Sequence, residues 1–105
     1  MDATEFVASW RREMDSLVDA FLSPEGGTQV AAKIKALNLS AEQLAAMRGI
    51  VNGIVCDTMY TLLLGLDGEA NIGGIQQPYI IHDETGAVIA MPGEIEAAAS
   101  NLFPG

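Results

Sequence analysis

Cys56, Asp57 and His82 are the residues with which this chain could do nucleophilic chemistry. A thiol beside an imidazole, with a carboxylate to orient the ring, is the constellation of a cysteine-dependent hydrolase. The thiolate forms at neutral pH only in an accessible, electropositive setting. Cys56 instead falls inside an apolar helical run, where a thiol packs as a small hydrophobe. We therefore expect no catalytic residue, and the chain reads as a binding protein rather than an enzyme.

The remaining chemical signals fail on geometry. His82 is the only histidine, flanked by Asp83 and Glu84 in a turn. A zinc site draws on three or four Cys or His ligands, so an exposed turn histidine is expected. Asp67, Glu69 and Asn71 have the spacing of positions one, three and five of a calcium loop. Ile72 stands where that loop requires glycine, and Pro78 where it requires a bidentate glutamate. A helix-to-strand turn accounts for these residues. Gly73-Gly74 has no strand before it and no helix after it, so it does not cradle a phosphate. No metal or cofactor is implied.

Charge is more informative. The chain carries a formal charge of −9, and its basic residues, Arg11, Arg12, Lys33, Lys35 and Arg48, all lie in the first 48 positions. Beyond them come Asp57, Asp67, Glu69, Asp83, Glu84, Glu94 and Glu96, with no Lys or Arg. Phosphate recognition needs cationic side chains, so neither nucleic acid nor an anionic membrane is an expected partner. A basic protein is complementary to the second half. The single cysteine excludes an internal disulfide. The acidic Met-Asp-Ala-Thr-Glu start lacks the basic and apolar regions of a signal peptide, so a cytoplasmic setting is expected.

The elements that must position these groups follow from periodicity. Residues 3–22 carry Phe6, Trp10, Met14, Leu17 and Phe21 at steps of three and four, with Val7, Val18 and Leu22 beside them, which predicts an amphipathic helix capped by Asp2 or Thr4. Ser23-Pro24-Glu25-Gly26-Gly27 ends it. Thr28 caps a short second helix to about Leu37. Ser40 and Gln43 form a capping box, flanked by Leu39 and Leu44 as a hydrophobic staple, and open a third helix reaching Gly65. Its second half is apolar on nearly every side, so it is expected to be the central, most buried helix. The stretch from Leu44 to Leu66 is long enough to cross a membrane. It contains Arg48, Asn52 and Asp57, and each charge at bilayer depth costs about 2.5–3.5 kcal/mol, so a soluble core helix is the reading. Gly49 and Gly53 each cost roughly 1 kcal/mol against alanine within a helix, which calls for close approach of another helix, from this chain or a second copy.

After Asp67-Gly68 the texture changes. Asn71 to Gln77 suggests an irregular edge strand. Tyr79–His82, the turn Asp83-Glu84-Thr85-Gly86, and Ala87–Ala90 read as a hairpin with a type I turn. Pro92-Gly93 breaks the chain, and Glu94 to Leu102 forms a short last helix with Ile95, Ala98 and Leu102 inward.

The segment Arg48-Gly49-Ile50-Val51 through Asp57-Thr58-Met59-Tyr60-Thr61-Leu62-Leu63-Leu64-Gly65-Leu66-Asp67-Gly68, followed by a short β-region and Gly93-Glu94-Ile95-Glu96, resembles small uncharacterised bacterial α+β proteins, some of them taken as immunity or accessory proteins. The resemblance covers the second half of the chain and carries no catalytic signature. It implies a helix-then-hairpin fold in a bacterial, cytoplasmic setting.

The reading is a single α+β domain over residues 1–105: N-terminal helices with one long central helix, a small antiparallel sheet and a short C-terminal helix. Its expected function is non-catalytic binding of a basic protein, as an immunity, antitoxin-like or accessory protein. Surplus apolar surface at Phe6, Trp10, Met14 and Phe21, together with Gly49 and Gly53, adds a homodimer. The alternative is a small-molecule binder or enzyme with a pocket between the central helix and the hairpin, its polar groups being Asp57, Tyr60 and His82. The candidate interaction residues are Asp57, Tyr60, Asp67, Glu69, His82, Asp83 and Glu84.

Overall fold

The computed structural model describes residues 1–103. Their order is α1 (Ala3–Leu22), α2 (Gln29–Ala36), α3 (Ala41–Leu66), β1 (Ile81–His82), β2 (Val88–Ala90) and α4 (Glu94–Leu102). This is the α+β layout that the sequence pattern implies. The chain divides into a terminal unit, Met1–Arg11 with Asp57–Gly105, and a middle unit, Arg12–Cys56. The continuous helices α1 and α3 each contribute residues to both.

The helix starts obey local chemistry. Asp2 Oδ1 accepts a hydrogen bond from the Glu5 amide at 2.8 Å and caps α1. Thr28 Oγ1 accepts from the Ala31 amide at 2.9 Å and caps α2. At α3 the capping box closes in both directions. The Ser40 amide donates to Gln43 Oε1 at 2.9 Å, and the Gln43 amide donates to Ser40 Oγ at 3.2 Å. Each cap satisfies amides that the helix leaves without a partner.

In the middle unit the buried side chains are Met14, Val18, Leu22, Ala31 and Val51. The inward line of α1 is thus Ala3, Val7, Met14, Val18 and Leu22. It lies to one side of the expected stripe, because Phe6, Trp10, Leu17 and Phe21 are half-buried on its flank. Phe6 and Trp10 meet there with ring centroids 6.1 Å apart and planes tilted by 53°, a geometry favoured by the ring quadrupoles. Aliphatic residues and Met14 occupy the buried line, and the three rings with Leu17 cover its edge. After α1 the chain turns so closely that a Cβ on Gly26 would collide with the carbonyl oxygen of Ala20. Glycine is required there by space.

In the terminal unit the fully buried residues include Val7, Leu63, Ile95 and Ala99. The sheet is a two-stranded antiparallel hairpin, with Ile81 opposite Ala90, His82 opposite Val88 and a bulge between the two pairs. It is shorter than the expected Tyr79–His82 and Ala87–Ala90 strands. Residues 71–77 make no strand, but an isolated bridge joins Ile72 to Ile75. Consecutive glycines at positive φ, Gly73 at 60° and Gly74 at 84°, curl this segment into a tight turn instead of extending it.

α3 departs most from expectation. It is long and apolar enough to cross a membrane by length and composition, yet only 17% of its most apolar window is buried. Ile50 and Ile54 are 59% and 60% exposed. The long central helix is present as expected, but it is not the most buried one: much of it is exposed. An all-round apolar helix of 26 residues presents more sides than the other elements of so short a chain can cover.

Candidate interaction surface

The seven candidate residues separate into different environments. Asp57, Glu69, His82, Asp83 and Glu84 are exposed, Tyr60 is half-buried, and Asp67 is 4% exposed. His82, Asp83 and Glu84 share the hairpin. Asp57 and Tyr60 belong to α3, and Asp67 and Glu69 to the turn that follows it.

Asp67 is a structural residue. Its Oδ2 accepts a hydrogen bond from the Glu96 amide at 2.6 Å, across 29 positions of sequence. Its Oδ1 is buried and unpartnered. The reason lies in α4. The helix begins at Gly93, which is left-handed at φ 95° and has no side chain with which to cap. Asp67 supplies the missing acceptor from elsewhere, placing a carboxylate at the helix N-terminus, where the macrodipole favours negative charge. The backbone around Asp67 is held in place: Tyr79 donates its amide to the Leu66 carbonyl at 2.9 Å, and Asp67 bridges Pro78. Gly68, at φ 80°, permits the turn, since a Cβ there would lie 2.8 Å from the Pro78 nitrogen.

The opposite end of α4 is served in the same way. No basic residue lies in its last turn. Arg11 Nη1 donates to the Leu102 carbonyl at 3.0 Å, and its guanidinium stands 5.9 Å from the centroid of the buried Phe103 ring. A cation at a helix C-terminus and over a ring face is stabilising on both counts. Sequence reasoning missed Arg11, because no local pattern links residues 91 positions apart.

Asp83 organises the hairpin turn. Its Oδ1 accepts from the Thr85 hydroxyl at 2.6 Å, the Thr85 amide at 2.9 Å and the Ala87 amide at 3.1 Å. These bonds, the Thr85 hydroxyl foremost, hold the carboxyl below the ordinary aspartate range. The sign of the linkage follows. The turn's contribution is complete above the ordinary aspartate pKa and is lost as pH falls through the depressed value. In an NMR titration Asp83 should protonate after an ordinary aspartate as pH falls, and Thr85→Val should move it back toward that range. An unchanged midpoint in Thr85→Val would remove the hydroxyl as the cause.

His82 Nδ1 lies 2.9 Å from the Asp83 carbonyl oxygen and donates to it in the tautomer protonated there. Among the described residues, no three His, Cys, Asp or Glu side chains gather closely enough to hold a metal ion. Cys56 is a half-buried free thiol. A cavity of about 220 Å³ in the middle unit is lined by Leu22, Ile34, Leu39, Leu44, Lys35 and Asn38 among others. A shallower one of about 320 Å³ in the terminal unit is lined by Asp2, Thr4, Glu94 and Asn101 among others. Neither is lined by Asp57, Tyr60 or His82.

What the terminal unit does expose is apolar surface beside its carboxylates. Ile75, Ile80, Val88 and Met91 are 59%, 55%, 54% and 46% exposed. Ile80 precedes β1 and Val88 pairs with His82 across the hairpin, and Asp83, Glu84 and Glu94 lie close by along the chain. Sequence reasoning placed Ile80 and Val88 in strands without assigning them an outward face. A two-stranded hairpin has too few residues for alternation to reveal which face is covered. The chain matches no protein-family model, no curated protein and no solved structure.

Proposed function

We propose that the chain is a non-catalytic, acidic protein-binding domain whose partner is a basic protein, acting as an immunity, antitoxin-like or accessory protein does. One observation carries this reading. After Arg48 the chain has no Lys or Arg, and Asp57, Glu69, Asp83, Glu84 and Glu94 all face solvent in the unit that also exposes Ile75, Ile80, Val88 and Met91. Interfaces combine an apolar centre with a charged rim, and the rim sets which partners are admitted. After residue 48 every exposed charged group of Asp, Glu, Lys or Arg is a carboxylate, since no Lys or Arg follows Arg48.

The test is affinity capture from a lysate of the source organism at graded salt, with wild-type bait and a Glu69→Lys/Glu84→Lys bait in parallel. These two glutamates are exposed, so the fold should survive their replacement. The expected result is a basic protein that is released as ionic strength rises from about 0.05 to 0.5 M, where screening shortens to a few ångströms, and that binds the double variant at least tenfold more weakly. A partner held equally at high salt and by the charge-reversed bait would refute the reading.

A further inference from the structure

We infer that the outer edge of β2 docks an extended segment of the basic partner as a third, antiparallel strand in register with Val88. This rests on the reading of an acidic domain with a basic partner and names how that partner is held. The hairpin's own hydrogen bonds fix which backbone groups are free. The Asp83 amide donates to the Ala87 carbonyl at 3.0 Å, and the next pair along the ladder is His82 opposite Val88. Bonded and non-bonded pairs alternate in an antiparallel ladder, so the amides and carbonyls of His82 and Val88 point away from the hairpin. Among the described residues no loop, cap or side chain bonds to the Val88 amide or carbonyl, and Val88 is 54% exposed. The bulge after this pair turns the strand over. Ala90 is thereby buried at 1% exposure, although it lies two residues from Val88. Alternation puts Ile80 and His82 on the side of Val88, and all three are exposed.

An open edge that offers both an amide and a carbonyl is matched by another extended chain. The β1 edge is the shorter of the two, because the bridge between Asp67 and Pro78 ties down the chain just ahead of it. A residue set opposite Val88 exchanges two backbone hydrogen bonds with it, and its side chain lies beside Val88 on the exposed apolar side. That position takes an apolar residue. Charge then selects what flanks it. One end of the added strand passes the turn with Asp83 and Glu84. The other passes Glu94, whose carboxylate accepts from the Met91 amide at 2.7 Å just beyond β2. All three acids are exposed, so the flanking positions take Lys or Arg. A second copy of the chain does not meet this requirement. Edge-to-edge pairing about Val88 would turn Glu84 of each hairpin toward Glu94 of the other, and like charges set opposite one another destabilise a strand pair.

Amide NMR on the full chain, titrated with the capped peptide Lys-Lys-Val-Thr-Val-Thr-Lys-Lys up to about 2 mM, tests this; that ceiling corresponds to about 4 kcal/mol of binding. The expected result is saturable shifts centred on residues 80–91 and slowed hydrogen exchange at the Val88 amide. The same peptide with both valine amides N-methylated keeps its charge and side chains but loses the edge donors, and should bind at least tenfold more weakly. Replacing its four lysines by glutamates should abolish binding. Val88→Pro removes the outward donor at the first residue of β2, where proline is tolerated. It should weaken the parent peptide at least tenfold with unchanged circular dichroism. Three results would overturn the inference: no binding at 2 mM, shifts centred away from the hairpin, or equal binding of the N-methylated peptide. A salt-released basic protein captured equally by wild-type and Val88→Pro baits would also overturn it, while leaving the basic partner in place, so the two readings fail separately.

Discussion

Asp67→Ala is expected to lower the unfolding free energy by about 2 kcal/mol, which for a chain of this size moves the melting temperature down by about 8–15 °C. Two effects oppose each other. The variant strands the Glu96 amide, whose acceptor lies 2.6 Å away and is the cap that Gly93 cannot supply. Losing an N-cap costs about 1 kcal/mol, and losing a hydrogen bond to a charged group about 1.5–3. Against this, alanine removes a buried carboxylate with one unpartnered oxygen, whose desolvation is unfavourable. The cap should prevail because the carboxylate sits at a helix N-terminus, where the free amides and the macrodipole stabilise it. Asp67→Asn keeps an acceptor for Glu96 and should lose about half as much. Urea denaturation of the three proteins decides the matter. If Asp67→Ala proves as stable as the parent, desolvation outweighs the cap, and the carboxylate is retained for some reason other than stability.

The features of this fold that were legible in advance are those set by neighbours in sequence. The Ser40–Gln43 box, the Thr28 cap and the Asp83 turn each join residues two to four positions apart, and each forms as its local chemistry dictates. The span of α4, Glu94 to Leu102, was equally clear, since Pro92-Gly93 opens it and its apolar spacing is regular. The two groups that complete α4, Asp67 and Arg11, were not. A glycine cap announces that an acceptor is missing but not which residue will provide it. Asp67 stands among the sequence candidates for interaction because the acid that opens an Asp-Gly turn looks the same in sequence whether it faces water or the end of a helix. The inward line of α1 was displaced for a related reason. Phe6, Trp10 and Phe21 dominate any hydrophobicity pattern by size, whereas the tight interior line went to Ala3, Val7 and Val18, whose small side chains allow close approach.

The exposure of α3 leads to a second large expected effect. Leu63→Ala should destabilise the chain by about 2–5 kcal/mol, while Ile54→Ala on the same helix should change stability by no more than about 0.5 kcal/mol when measured at low micromolar concentration. Sequence alone ranks the two alike, as branched aliphatics within an apolar helical run. Leu63 is fully buried and Ile54 is 60% exposed, so truncating the first leaves a cavity and truncating the second leaves water where water already was. The contrast isolates what amphipathic reasoning could not supply. With apolar residues on every side of α3, no polar stripe marks the uncovered face, and periodicity carries no phase information. Equal losses at both positions would mean that Ile54 is covered within a single chain, and the exposed face of α3 would then have to be abandoned.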